Sequence, residues 1–226
     1  MKLDRRKLVT GTMALGIAAG LDGYFGLNGR SGFGPASAEA AAADADPAEL
    51  AKPGPMGDMA LGEEDAPVTI VEYASMTCPH CANFHTETFP KLKEEFIDTG
   101  KVRFVFREFP FDDLALAAFM VARCAPEDKY FPMIDILFEQ QSTWAGRGAD
   151  PREELFKIAK LSGMTREKFD ACLKDEEIAR GIMAVRERGA NEFGIDSTPT
   201  FFVNGKLLSG NRPLEEFENA INAALG

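Results

Sequence analysis

Two cysteines separated by two residues, Cys78-Pro79-His80-Cys81, fall where a strand gives way to a helix, and this restricts the fold more than any other stretch. Before them, Val68-Thr69-Ile70-Val71-Glu72-Tyr73 is β-branched and apolar enough for a buried strand. After them, Ala82 to Thr99 reads as a helix, with Phe84, Phe89, Leu92, Phe96 and Ile97 on roughly one face. Pro90 should kink that helix and Gly100 cap it. A helix starting at Cys78 or Pro79 aims its unpaired N–H groups, and the positive end of its dipole, at the Cys78 sulfur. A thiolate is stabilised in such a place. His80 adds to the effect if its ring is protonated or donates a hydrogen bond. Cys81 points into the first turn and should be less exposed. Cys78 therefore reads as the attacked sulfur of low pKa, and Cys81 as its resolving partner.

A Cys-x-x-Cys at a strand-to-helix junction marks a thioredoxin-type redox site. The same spacing supplies half of a zinc site. Only Cys124, Cys172, His80 and His85 remain as ligands, and no second Cys-x-x-Cys exists. We therefore expect no metal, and no cofactor beyond the dithiol itself.

The chain has 226 residues, enough for one good-sized domain with an insertion. Its net charge of −11 argues against a nucleic acid partner. Residues 1–38 resemble an export signal: a basic front (Lys2, Arg5, Arg6, Lys7), an apolar stretch from Leu8 to Leu21 diluted by glycine, and Ala36-Ser37-Ala38 for cleavage. The Arg5-Arg6 pair allows a twin-arginine signal, and an uncleaved membrane tether is the alternative. Four cysteines, an even number, suit an oxidising compartment such as the periplasm. Residues 39–61 are rich in Ala, Asp, Pro and Gly and read as a flexible linker before a domain over 62–226. Met59-Ala60-Leu61 could add a short edge strand. The linker leaves no room for an N-terminal dimerisation domain, so a monomer is expected.

Glu72 is the one acid in its strand. It is either a buried carboxylate that relays a proton to Cys81 or an alternation position facing solvent. His85, four residues after Cys81, is expected to face solvent. Val102 to Arg107 forms a second strand, parallel to the first. Residues 112–193 are helical throughout and read as an all-helical insertion, with Trp144 plugging a seam or lining a substrate groove. Cys124 and Cys172 each lie in an apolar helix there and read as a structural disulfide, with two buried thiols as the alternative. Thr198-Pro199 enters a buried strand, which favours a cis bond and leaves the Thr198 backbone free to pair with an extended substrate. Asn204-Gly205 is a type I′ turn, and Leu214 to Leu225 a closing helix with Leu214, Phe217, Ile221 and Leu225 turned inward.

Cys78-Pro79-His80-Cys81, Glu72 six residues earlier, the helical insertion and Thr198-Pro199-Thr200-Phe201-Phe202-Val203-Asn204-Gly205 together resemble the DsbA-like thiol-disulfide oxidoreductases over about residues 60–226. The resemblance implies an α/β thioredoxin fold, with the insertion between a βαβ half and a ββα half. It implies catalysis by Cys78 and Cys81, with Pro79 and His80 between them, a buried Glu72, and substrate binding at Thr198 and cis-Pro199. It further implies reduced or unfolded secreted proteins as substrates and a membrane quinone-linked partner for reoxidation. It also matches a subset of the family that has a second disulfide in the insertion. Thr198 departs from the valine of the familiar oxidases; threonine occurs there in isomerases and other branches. An isomerase or reductase is thus one alternative to a dithiol oxidase, and a non-catalytic chaperone or binding module another.

Overall fold

The computed structural model describes residues 42–226; the expected export signal, and residues 39–41 of the expected linker, lie outside the described residues. From residue 42 to 61 the chain is not a free linker. Ala45 donates to the Gly205 carbonyl, Asp44 holds both Lys206 and the Leu207 N–H, and helix α1 (Pro47–Leu50) buries Leu50. Two arginines bind its carbonyls: Arg107 reaches Leu50 and Lys52, and Arg188 reaches Lys52 and Glu49. Polar composition pointed to a loose segment, yet its backbone oxygens, with the Ala45 N–H and the Asp44 carboxylate, anchor it. Strand β1 (Met59–Leu61) then pairs antiparallel with residues 104–106, the edge strand expected there.

β2 (Val68–Ala74) and β3 (Val102–Glu108) run parallel, joined by the helical run between them. β4 (Thr200–Val203) lies antiparallel on the other side of β2, and β5 (Lys206–Ser209) pairs with β4. The sheet order is β1-β3-β2-β4-β5. Asn204 (φ 44°) and Gly205 (φ 87°) both take the left-handed conformation that a type I′ turn requires.

Alternation along the strands divides the core in two. Val68, Ile70 and Ala74 of β2, Phe104 and Phe106 of β3, and Phe201 and Val203 of β4 face one layer. Val71, Tyr73, Val105 and Phe202 face the other, against Val185, Phe193 and Ile195. Both faces are covered, so an alternating acid on β2 has no solvent side to turn to. Glu72 shares the parity of Ile70 and Ala74 and is carried into the first layer.

The helical run after the dithiol is built from α2 (Pro79–Asn83), a wide π turn (Phe84–Thr88), α3 (Phe89–Leu92) and a second π turn (Lys93–Ile97). Pro90 has no N–H to give the preceding turn, and its ring crowds the carbonyl of Thr86. The chain widens just before it, and Phe89 bonds back to Phe84.

Between β3 and β4 stand the inserted helices: α4 (Asp113–Arg123), α5 (Tyr130–Glu139), α6 (Gln141–Trp144), α7 (Pro151–Ala159), α8 (Arg166–Cys172) and α9 (Glu176–Phe193). Asp112, Asp150, Thr165 and Asp175 cap their N-termini with side-chain oxygens, and Gly194 ends α9 at φ 64°. Trp144 is the seam plug: it is fully buried and donates to the Leu137 carbonyl at 2.7 Å. Cys124 and Cys172 form a disulfide with Cα atoms 6.2 Å apart, which ties the end of α4 to α8. Gly189 lets α9 lie close to the sheet, since a Cβ there would meet the Tyr73 ring at 2.9 Å. Helix α10 (Leu214–Leu225) buries Phe217 and Ile221 as expected, but Leu225 is exposed at its last turn.

Candidate active site

The dithiol sits where β2 ends. Cys78 is the N-cap of α2, with extended backbone (φ −80°, ψ 118°), and Pro79 takes the first helical position. The loop leading in is pinned at several points. Cys78 N–H donates to Ser75, the Thr77 hydroxyl to Asp112, and the Gln141 amide to the carbonyls of Met76 and Cys78. Two of these anchors, Asp112 and Gln141, come from the insertion, and nothing in their spacing from Cys78 announces them.

Cys78 is half-buried and Cys81 fully buried. The Cys78 thiol is drawn down from 9.0 to about 5. The Cys81 thiol, donating to it, is the largest cause; burial opposes; the Thr198 side chain and the backbone N–H groups of Cys81 and His80 add to it. Among the described residues the Thr198 hydroxyl is buried with no hydrogen-bond partner, and so is free to serve the thiolate. His80 is exposed, and what it brings to Cys78 is its backbone N–H rather than its ring. Cys81 is pushed well above its ordinary value by burial, by its bond to Cys78, and by the negative charges of Glu72 and Cys78. The two thiols are thus driven apart: one is held ionised, the other held protonated.

Across the cleft, the Thr198–Pro199 bond is cis, and the Thr198 carbonyl lies 3.3 Å from Cys78 Sγ.

Glu72 is fully buried. Burial raises its pKa, the His85 ring beside it lowers it, and the Cys78 charge raises it again. The expectation that His85 faces solvent is wrong. It is buried and shares a 2.8 Å hydrogen bond between Nε2 and Glu72 Oε2. The reason is the helical stripe: Cys81, Phe84, His85, Thr88 and Phe89 stand at i, i+3, i+4, i+7 and i+8, and all five are buried. The signal was present: His85 lies four residues from both Cys81 and Phe89, each of them inward-facing.

A buried thiol behind a half-buried, acidified one, faced by a cis-proline loop on a sheet of this order, defines a thioredoxin-type dithiol site. The thioredoxin family model matches residues 55–223. The crystal structure of Wolbachia pipientis α-DsbA1 superposes with a TM-score of 0.72 at 34% identity, covering 80% of this chain and 96% of that one. A Rickettsia bellii protein assigned by name to the protein-disulfide oxidoreductases is 37% identical over 169 residues, or 74% of this chain and 64% of that protein. Disulfide bond formation protein D of Bacillus subtilis is 29% identical over 182 residues, 77% of this chain and 80% of its own. The chain belongs to the thioredoxin family, among its DsbA-like thiol-disulfide oxidoreductases. Its match spans just under two thirds of the rickettsial relative.

Proposed function

We propose that this protein is an exported dithiol oxidase that introduces disulfides into reduced or unfolded secreted proteins through the Cys78–Cys81 pair. One observation carries the reading: the Cys81 thiol and the N–H groups of His80 and Cys81 at the head of α2 favour the Cys78 thiolate, while Cys81 is sealed behind it. A pKa of about 5 lies between those of related sites, about 7 in thioredoxin and about 3.5 in DsbA. A sulfur so comfortable as a thiolate forms an unstable disulfide and leaves it readily.

The steps follow from that asymmetry. A substrate thiolate attacks Cys78 in the Cys78–Cys81 disulfide. The new bond is a substrate–Cys78 mixed disulfide, and Cys81 leaves and takes up a proton, with Glu72 as its source. A second substrate thiolate then attacks the substrate sulfur bonded to Cys78. Cys78 departs as the stabilised thiolate, needing no proton, and the substrate's disulfide is complete. Two electrons have passed to the pair. The Thr198 backbone beside Cys78 offers an edge on which an extended substrate segment can lie.

A membrane quinone-linked partner would restore the disulfide, and the protein would work as a monomer. The Cys124–Cys172 disulfide favours an oxidising compartment, the periplasm. No helix among the described residues is long and apolar enough to cross a membrane.

Thr198 favours a second reading, isomerase or reductase. Two assays separate them. An oxidase accelerates the oxidation of a reduced, unfolded protein far more than the rescue of a scrambled one, whereas an isomerase does the reverse. If Cys78→Ser leaves the activity intact, a non-catalytic binding module replaces both.

A further inference from the structure

Resting on the reading of Cys78–Cys81 as the redox pair, we propose that His85 is a positioning residue: its Nε2–H holds Glu72 Oε2, leaving Oε1 as the carboxyl oxygen that exchanges a proton with Cys81.

Three observations converge. The Nε2–Oε2 bond is 2.8 Å long, between side chains 1% and 0% exposed. Glu72 Oε1 and His85 Nδ1 are buried and without a hydrogen-bond partner among the described residues. The ring is fixed by stacking on Phe138 at 4.3 Å, nearly parallel. An unpartnered buried N–H is a costlier defect than an unpartnered ring lone pair. The proton of a neutral His85 therefore belongs on Nε2, where it donates to Oε2, and Nδ1 carries the lone pair. Oε1 is then the one carboxyl oxygen with no fixed duty, and the Glu72 charge acts directly on Cys81.

In the closing direction the step balances as follows. The Glu72 carboxylate takes the Cys81 proton on Oε1, and the Cys81 thiolate attacks Cys78 in a mixed disulfide. The Cys78–partner bond breaks and the partner leaves as a thiolate. In the opening direction Oε1–H returns the proton to the departing Cys81. His85 acts by stabilising the carboxylate between these events. Other ionisable groups face this pair: Cys78 at the head of α2, and Asp135 and Tyr130 on α5, of which Asp135 feels the His85 ring and Tyr130 the Glu72 charge. Any pH profile must be read with them in place.

The test has two arms. In the unaltered protein, nitrogen-15 NMR of the histidine rings should show His85 protonated at Nε2 and bare at Nδ1 in both redox states. A bare Nε2 would overturn the proposal whether or not any variant folds. In the second arm, glutathione is loaded on Cys78 and its release by Cys81 is followed against pH. His85→Phe should slow release about tenfold near neutrality and move the profile to higher pH, while His85→Gln, which keeps a donor, should restore most of the rate. Superimposed profiles for His85→Phe and the unaltered protein would contradict the proposal. Equal release from Cys81→Ala would instead sink the redox-pair reading beneath it.

Discussion

Cys78 Sγ lies 3.3 Å from the carbonyl oxygen of Thr198, a contact across 120 positions of sequence that brings the dithiol and the cis-proline loop into one cleft. The thiol can donate to that carbonyl, but the thiolate cannot. Once ionised, the sulfur relies on the Cys81 thiol, the Thr198 side chain and the N–H groups of Cys81 and His80.

Thiolate absorbance of the reduced protein should therefore titrate with a midpoint near pH 5. The sign for stability follows. A depressed pKa contributes stability that is fully present above the unfolded value of 9.0 and is lost as pH falls to about 5. Urea unfolding of the reduced protein should show this pH dependence across that window. Cys78→Ser should remove that contribution, and an unchanged slope would contradict it.

On the proposed reading of buried Cys81 as the resolving thiol, Cys81→Ala should accumulate mixed disulfides between Cys78 and substrate proteins, visible on non-reducing gels and lost on reduction. Cys78→Ser should capture none. Comparable capture by both variants would mean that the attacked sulfur has been misassigned.

The Cys124–Cys172 bond closes a loop with a sequence separation of 48 within the insertion. Replacing both cysteines by alanine should cost about 4 kcal/mol of stability through the freed unfolded chain. The pair ties α4 to α8, neither of which carries the dithiol, so the reduction potential of Cys78–Cys81 should stay put. A shifted potential with unchanged stability would reverse that division of roles.

Arg107 is buried on β3. Its guanidinium forks onto Asp58, donates to the Tyr73 hydroxyl, and binds the Leu50 and Lys52 carbonyls. Arg107→Leu leaves these acceptors short of a donor and should cost about 3–5 kcal/mol. Amide exchange should rise first over residues 42–61, and uniform loss of protection would argue against a local clasp.

The dithiol, the parallel βαβ half, the type I′ hairpin and the insertion were legible because each rests on local rules. Pro79 fits the first helical turn, Asn204-Gly205 fits positive φ, and Asp150-Pro151 starts a helix. Glu72 was ambiguous because periodicity gives its parity but not whether that face is covered. His85 was misjudged because a polar ring was weighed by its type, whereas its four-residue spacing from Cys81 and Phe89 puts it on the buried stripe of the helix. The N-terminal segment was misjudged because composition weighs side chains, while Arg107 and Arg188 grip its carbonyls. Gln141 and Asp112 reach the site through tertiary packing alone.

The reduction potential of the Cys78–Cys81 pair against glutathione tests the central claim most directly. The stabilised Cys78 thiolate predicts an oxidising value between roughly −200 and −120 mV. A value near that of thioredoxin, about −270 mV, would contradict it and make the protein a reductant.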